Sequence, residues 1–493
     1  PTFSASQTVL PSAAISRIES GSLAELNVPN LMLKKGEKCC FVDKSYEMVE
    51  ITTTRNVRKS GGTSMPSVFF KGVRYHMGSS ESIPITETKV DYIPGYLYIT
   101  NKRIIFTSQK GGLEKSFDSL SAFHPYSNAI GLQFGQKVIN FILPRADLAV
   151  LEAFYRTEQT YLGNPNSTHP AGQAAQAEMA RVTESIAGLL RVSPEEIIYT
   201  SGASESNNLA LKGIVQASRH IGRHIISTAL EHSSVGGALS ALQQQGCEVD
   251  LVDIRRDGTI DLEQLRELLR KDTVLVSVCA VDSELGTVQP IREIGTILKE
   301  YPDCRFHVDA TQAVGKTELA LDGVDTMSIA PHKFYGLNGS GLLFKRKDRV
   351  IEPQIHGGGS TTPYRSGTPA LGLAVSIETA LRLALEQQDE RIAHVRELNG
   401  FLRAGLSKYP AVRINSPENA VPHILNLSVS GVKGTVFQQE LGKRGVCVSV
   451  KSACSVEGTP SKAVFAVSRD RKNALSSWRI SLSHLTTMEE VRE

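Results

Sequence analysis

Two pieces of one stretch, FHVDATQAVGK (Phe306–Lys316) and SIAPHKFYGLNGSG (Ser328–Gly341), decide how the chain reads. The apolar run Arg305–Val308 ends in Asp309. A second, Thr326–Ile329, ends just before His332 and Lys333. In a parallel α/β sheet, side chains at the carboxyl ends of strands face one ligand crevice. A carboxylate and a lysine at two such ends suit a pyridoxal phosphate (PLP) site. The lysine would bind the cofactor covalently, and the carboxylate would keep the pyridine nitrogen protonated. Taken alone, the same pair also reads as an acidic strand end and a surface lysine.

The flanking residues separate these readings. HVDATQAVGK and HK-x-YG-x-x-G-x-G resemble the signatures of the cysteine desulfurase branch of the class V aminotransferase family. That resemblance implies PLP as cofactor, Lys333 as the Schiff-base lysine, Asp309 as the partner of the pyridine nitrogen, and Gln312 and His332 as cofactor contacts.

Outward from this stretch, βα alternation runs from Tyr161. EEIIYTSG, HIISTALEHSSV, CEVDLVDI and TVLVSVCAV read as strands between helical segments, which predicts a mostly parallel sheet. TSGASES (Thr200–Ser206) joins a strand to a helix start, where the amides of Ala203 and Ser204 suit a phosphate. By resemblance, His232 in ALEHSSV stacks on the cofactor ring. HGGGSTTPYRSGT (His356–Thr368) is similar to a loop that crosses a homodimer interface, with Ser360, Thr361 and Arg365 as candidates for the partner's phosphate site. SACSVEGTP is similar to a loop whose cysteine, here Cys454, accepts sulfur. Arg479 in WRISLS matches an arginine that binds the substrate carboxylate. The implied reaction takes L-cysteine to L-alanine, leaves a persulfide on Cys454 and serves a sulfur-acceptor protein. Iron–sulfur cluster assembly is the process that the resemblance implies.

The chain departs from the family pattern at named places. VDSELG carries Asp282 and Ser283 where the pattern has two asparagines. APHK carries Ala330 where a phosphate-binding hydroxyl is usual, and Lys451 replaces a glycine. The pattern's opening strand and helix have no counterpart before Tyr161. These departures keep two alternatives open: another class V lyase or transferase, or a degenerate fold acting as a binding or scaffold protein.

The first third has a different character. After a Ser/Ala-rich segment, residues 1–23, short alternating runs such as CCFVDKSYEMVEIT, SVFFKGVRYHMG and GYLYITNKRIIFTS are separated by turn residues. They predict a small all-β unit. GYLYITNKRIIFTSQKGG and KSFDSLSAFHPYSNAIGLQFG resemble bacterial PH/GRAM-like domains. The expected organisation is a PH-like domain over residues 24–157 with a closing helix, a PLP-binding large domain over 161–368 and a C-terminal helical and α+β lobe over 369–493. The fold expected for 161–493 is PLP-dependent transferase fold type I.

Composition bounds the rest. A net charge of +3 over 493 residues gives no case for nucleic acid. Residues 1–150 hold 17 Lys+Arg against 12 Asp+Glu, a mild basic excess that fits an anionic partner such as a lipid surface. Lys102 and Arg103 are the head-group candidates, against the plainer reading of solvated hairpin charges. No apolar run reaches the roughly 18 residues of a membrane span. Seven cysteines with no framework spacing point to a reducing, cytoplasmic compartment, and no metal site is expected. Cys39–Cys40 reads as a strand giving one side chain to each face. Cys247, Cys279 and Cys304 read as inert core thiols.

Overall fold

The computed structural model describes residues 31–66, 74–108, 111–125, 129–142, 148–444, 446–450 and 459–492. The described residues fall into two compact units, 31–142 and 148–492. The expected segment 1–23 lies outside the described residues, and so does Cys454.

The smaller unit is a seven-stranded antiparallel sheet. Its strands are β1 (Cys39–Pro66), β2 (Arg74–Thr100), β3 (Arg103–Ser108), β4 (Gly111–Ser116), β5 (Ala122–Pro125), β6 (Ala129–Phe134) and β7 (Lys137–Ile142). They lie in the order β4-β3-β2-β1-β7-β6-β5. One difference from the sequence reading stands out. The short strands expected before Thr100 pair as two long strands, from Cys39↔Thr100 to Pro66↔Arg74. Of SVFFKGVRYHMG, Arg74–Gly78 belong to β2, and the rest lies outside the described residues. Runs such as VEITTT are rich in β-branched residues, which suit extended pairing and leave the ladder no breaker. The apolar face gathers Leu97, Ile104, Phe106, Leu132, Ile139 and Phe141, with the rings of Phe106 and Phe141 5.1 Å apart. Cys39 is buried and Cys40 part-exposed, as the two faces of a strand require.

Arg103 is not a solvated hairpin charge. Its side chain is buried, and its Nε donates to Glu37 Oε1 at 2.7 Å. The hydrogen bond from Arg103 pulls the Glu37 carboxyl down to about 2. Lys102 Nζ donates to the Lys35 carbonyl at 2.8 Å. Both head-group candidates thus have protein partners.

The larger unit begins with a helix, Leu148–Thr160, that packs on the helix Leu371–Glu386. Glu158 Oε1 accepts from the Gly372 amide at 3.2 Å. The sequence reading closed the small unit with this helix; its apolar face instead meets the larger core, where Val150 is fully buried.

The central sheet follows, with β8 (Ile197–Thr200), β9 (His224–Thr228), β10 (Glu248–Val252), β11 (Thr273–Cys279), β12 (Arg305–Asp309), β13 (Thr326–Ile329) and β14 (Gly341–Lys345). Their order is β10-β9-β11-β12-β13-β14-β8. All pairs are parallel except those of β14, which runs antiparallel to both neighbours. Every residue of β9, β11, β13 and β14 is buried, as expected for strands covered on both faces. The helices Ala203–Ala217 and Ser233–Gln244 contribute to a cluster with Ile198, Ile225 and Leu343. After the helices Leu371–Glu386 and Gln388–Leu406, a small antiparallel sheet forms from β15 (Val412–Ile414), β16 (Ile424–Val429) and β17 (Ser477–Ser481). Among the described residues no helix is long and apolar enough to cross a membrane.

Candidate active site

The carboxyl ends of β8, β9, β11, β12 and β13 open on one cavity of about 580 Å³. Because β14 runs the other way, its amino end joins the same rim, with Asn338 and Gly339 just before it. Ala203, Ser204, His232, Asp309, Gln312, His332, Lys333 and Arg479 all line this cavity. These eight residues span 277 positions of sequence, and the parallel topology is what brings them together.

Asp309 closes β12 and is buried. Its Oδ1 accepts from the Thr311 amide at 3.0 Å, and its Oδ2 accepts from Asn207 Nδ2 at 2.9 Å. Asn207 Oδ1 in turn accepts from His307 Nε2 at 3.0 Å. His307 Nδ1 is then left to accept from Thr326 Oγ1 at 2.9 Å. Burial lowers the His307 imidazole to about 4, so it is neutral at pH 7. Asn207 Nδ2 also donates to Ser234 Oγ, whose hydroxyl donates to His232 Nδ1 at 2.9 Å. The Ser234 amide donates to the same nitrogen. An accepting Nδ1 leaves the ring proton of neutral His232 on Nε2. One buried amide therefore orients both Asp309 and, through Ser234, His232.

Thr200–Ser206 places a helix N-terminus at the rim. Gly202 sits at φ +152° and caps the helix without a side-chain hydrogen bond, so the first-turn amides keep their donor capacity. A Cβ on Gly341 would lie 2.6 Å from Gly202 Cα, so two glycines let the strand and the turn touch. Glu205 lines the same end; its Oε2 accepts from the Ser201 amide at 2.7 Å and its Oε1 from Arg365 Nε at 3.0 Å.

Arg479, on β17, lines the same cavity. Its Nη1 donates to the Ser283 carbonyl at 2.5 Å, while its buried Nε has no acceptor among the described residues. Thr311 Oγ1 is a second buried polar atom in the lining without a partner among the described residues. This donor set fits PLP and an amino acid carboxylate: helix amides for a phosphate, a carboxylate for a ring N–H, a lysine amine for the aldehyde and an arginine for a second anion.

Buried acids and a thiol stand around the cavity, and of these Glu231 is the one that the sequence did not announce. Burial raises the Glu231 carboxyl to about 8, although Cys279 N and Thr228 Oγ1 both donate to its Oε1. Burial and the Glu284 charge raise Asp282 to about 7. Cys279 lines the cavity, yet burial pushes its thiol well up, which denies it nucleophilic character. The core-thiol reading of Cys279 thus holds for chemistry but not for place.

Ser360 and Thr361 line a different cavity, of about 570 Å³, together with Tyr199, Lys345 and Tyr364. A single chain does not bring them to Lys333. Thr311, Asn338 and Ser449 were missed by the sequence reading. Thr311 had a signal, standing two residues after Asp309. Asn338 and Ser449 had none.

Comparisons with known proteins agree with this geometry. The family model for aminotransferase class V matches residues 144–493. The cysteine desulfurase IscS of Dictyoglomus turgidum is 37% identical over 347 residues, which are 69% of this chain and 88% of that protein. A solved structure of a NifS-like protein superposes with a TM-score of 0.66 at 35% identity, covering 71% of this chain and 93% of the other. A structure of SspA in complex with cysteine gives 0.59 at 30% identity, covering 68% of this chain and 94% of the other. The chain belongs to the class V aminotransferase family and, within it, to the pyridoxal phosphate-dependent cysteine desulfurases.

Proposed function

We propose that the Lys333 cavity takes L-cysteine to L-alanine and passes the sulfur to Cys454. The observation that carries this reading is the convergence of Lys333, Asp309 and Arg479 on one cavity from three separate elements. Bound PLP supplies an electron sink for carbanion chemistry at the substrate. The amides of Ala203 and Ser204 would hold its phosphate, Asp309 its ring nitrogen, and His232, Gln312 and His332 its ring and substituents.

Arg479 binds the substrate carboxylate by a two-pronged hydrogen bond. Lys333 would hold the cofactor covalently, and its amine is the base placed to take the substrate α-proton and to return one. The Cys454 thiolate attacks the substrate sulfur. A sulfur–sulfur bond forms as the Cβ–S bond breaks, with the Cβ–S electron pair left on carbon, where a proton completes alanine. The products are alanine and one persulfide, with no external oxidant. A sulfur-acceptor protein removes the persulfide sulfur.

Several broader assignments belong to the same reading. The chain pairs as a C₂ homodimer in which Ser360 and Thr361 serve the partner's phosphate site. That arrangement accounts for their distance from Lys333 within one chain. The small antiparallel unit is a PH/GRAM-like domain, and the protein works in the cytoplasm. Turnover tests the central point. Cys454→Ser should bind cofactor and L-cysteine normally yet form no alanine. Alanine formation at the wild-type rate would remove Cys454 from the mechanism.

A further inference from the structure

Lys316 is the one lysine of the quoted stretch that the mechanism leaves unused. Gly315, at φ +71°, turns the chain after Val314, and the Lys316 amide donates to the Ala313 carbonyl at 2.9 Å. A Cβ at Gly315 would meet Ala384 Cβ at 3.1 Å, so the turn is also tightly packed. This path folds Lys316 back toward Gln312, and Lys316 Nζ donates to Gln312 Oε1 at 2.6 Å.

Gln312 lines the cavity, whereas Lys316 stands behind it. A lysine ammonium bonded to an amide must meet the oxygen, because both the ammonium and the amide nitrogen are donors. The Lys316 contact therefore fixes which end of the Gln312 amide is engaged at the back. The NH₂ end, with its two protons, is left for the cavity side. Burial first, then the charges of Lys333 and Arg479, lower the Lys316 ammonium to about 7. His423, whose imidazole is lowered by burial and by Lys316, faces the same ammonium.

We propose that Lys316 is a positioning residue that holds Gln312 with its amide nitrogen toward the cavity, ready to donate to an anionic ring oxygen of the bound cofactor. The inference rests on the assignment of Gln312 to the cofactor site. Without Lys316, the Gln312 amide is free to rotate and present its oxygen, which would repel that anion instead of binding it.

The test is a double-variant cycle on the full chain, read by PLP binding and by the absorption spectrum of the loaded protein. Gln312→Ala and Lys316→Met should each weaken PLP binding about tenfold, the scale of one hydrogen bond to a charged group. Each should also shift the absorption maximum. The double variant should be no weaker than Gln312→Ala alone, and Lys316→Arg, which keeps a donor, should restore binding and spectrum. Additive effects of the two substitutions, or a folded Lys316→Met protein with wild-type binding and spectrum, would overturn the inference. Unchanged binding and spectrum in Gln312→Ala would instead remove Gln312 from the cofactor site, and this inference with it. Thermal melts of each apo-variant check folding. Should Lys316→Met fail to fold, Lys316→Gln against the Gln312→Ala background asks the same question.

Discussion

Asn207 Nδ2 donates to Asp309 Oδ2 at 2.9 Å while its other end accepts from His307, so one buried amide ties the cavity carboxylate to a neutral imidazole. Removing it leaves a carboxylate oxygen and a ring N–H short of a partner in a solvent-free place. Asn207→Leu should therefore lower unfolding stability by roughly 2–4 kcal/mol, the cost of leaving such groups unsatisfied. PLP affinity should fall as well, because Asp309 and, through Ser234, His232 lose their orientation. Urea unfolding and cofactor titration measure the two effects; a neutral substitution would show that the network is not coupled to the site.

Glu231 gives a pH signature. Its carboxyl is raised by burial to about 8 from an ordinary 4.5. The native state then holds a proton through that window which the unfolded chain releases. Stability carried by this proton is present below pH 4.5 and lost as pH rises to 8. The stability difference between wild type and Glu231→Gln should fall with pH by up to ~1.4 kcal/mol per unit. His307, lowered to about 4, acts in the opposite direction below 6.5, so only the difference between the two proteins isolates Glu231. Parallel stability profiles from pH 5 to pH 8 would contradict the assignment.

The phosphate end depends on two glycines in contact. A Cβ at Gly341 would approach both Gly202 Cα and Thr200 Oγ1 at 2.6 Å. Gly341→Ala should push the Thr200–Ser206 turn out of place, at ~1–3 kcal/mol of stability for overpacking. Binding of PLP and of inorganic phosphate should weaken together. Retained phosphate binding in a folded variant would move the anion site elsewhere.

Arg479 separates substrate from cofactor. Its guanidinium has an Nε without an acceptor among the described residues and a backbone anchor at Ser283, a geometry that lysine cannot reproduce. Arg479→Lys should raise KM for L-cysteine by at least tenfold, the equivalent of ~1.4 kcal/mol, and leave PLP affinity near wild type. A KM unchanged under steady-state assay would free Arg479 of the carboxylate.

Much of this was legible in the sequence, and the reason is topological. Asp309, His332 and Lys333 follow apolar runs whose carboxyl ends must meet in a parallel sheet, and eight of the twelve site residues read from the sequence do line one cavity. Ser360 and Thr361 fall in another cavity, since a loop's destination depends on packing and assembly that periodicity does not encode. Cys454 lies outside the described residues. Asn207 and Lys316 were illegible for another reason: each sits in an ordinary helix or turn, and only the fold reveals its partner. The small unit misled at its long hairpin, where turn residues such as Gly61–Gly62 stay within a paired strand.

The most direct measurement is borohydride reduction of the PLP-loaded protein, followed by peptide mapping. The expected result is a single cofactor adduct on Lys333, lost in Lys333→Ala together with the visible absorption of the loaded protein. A stable adduct on another lysine, or a Lys333→Ala protein that keeps both adduct and absorption, would contradict the placement of the chemistry in this cavity.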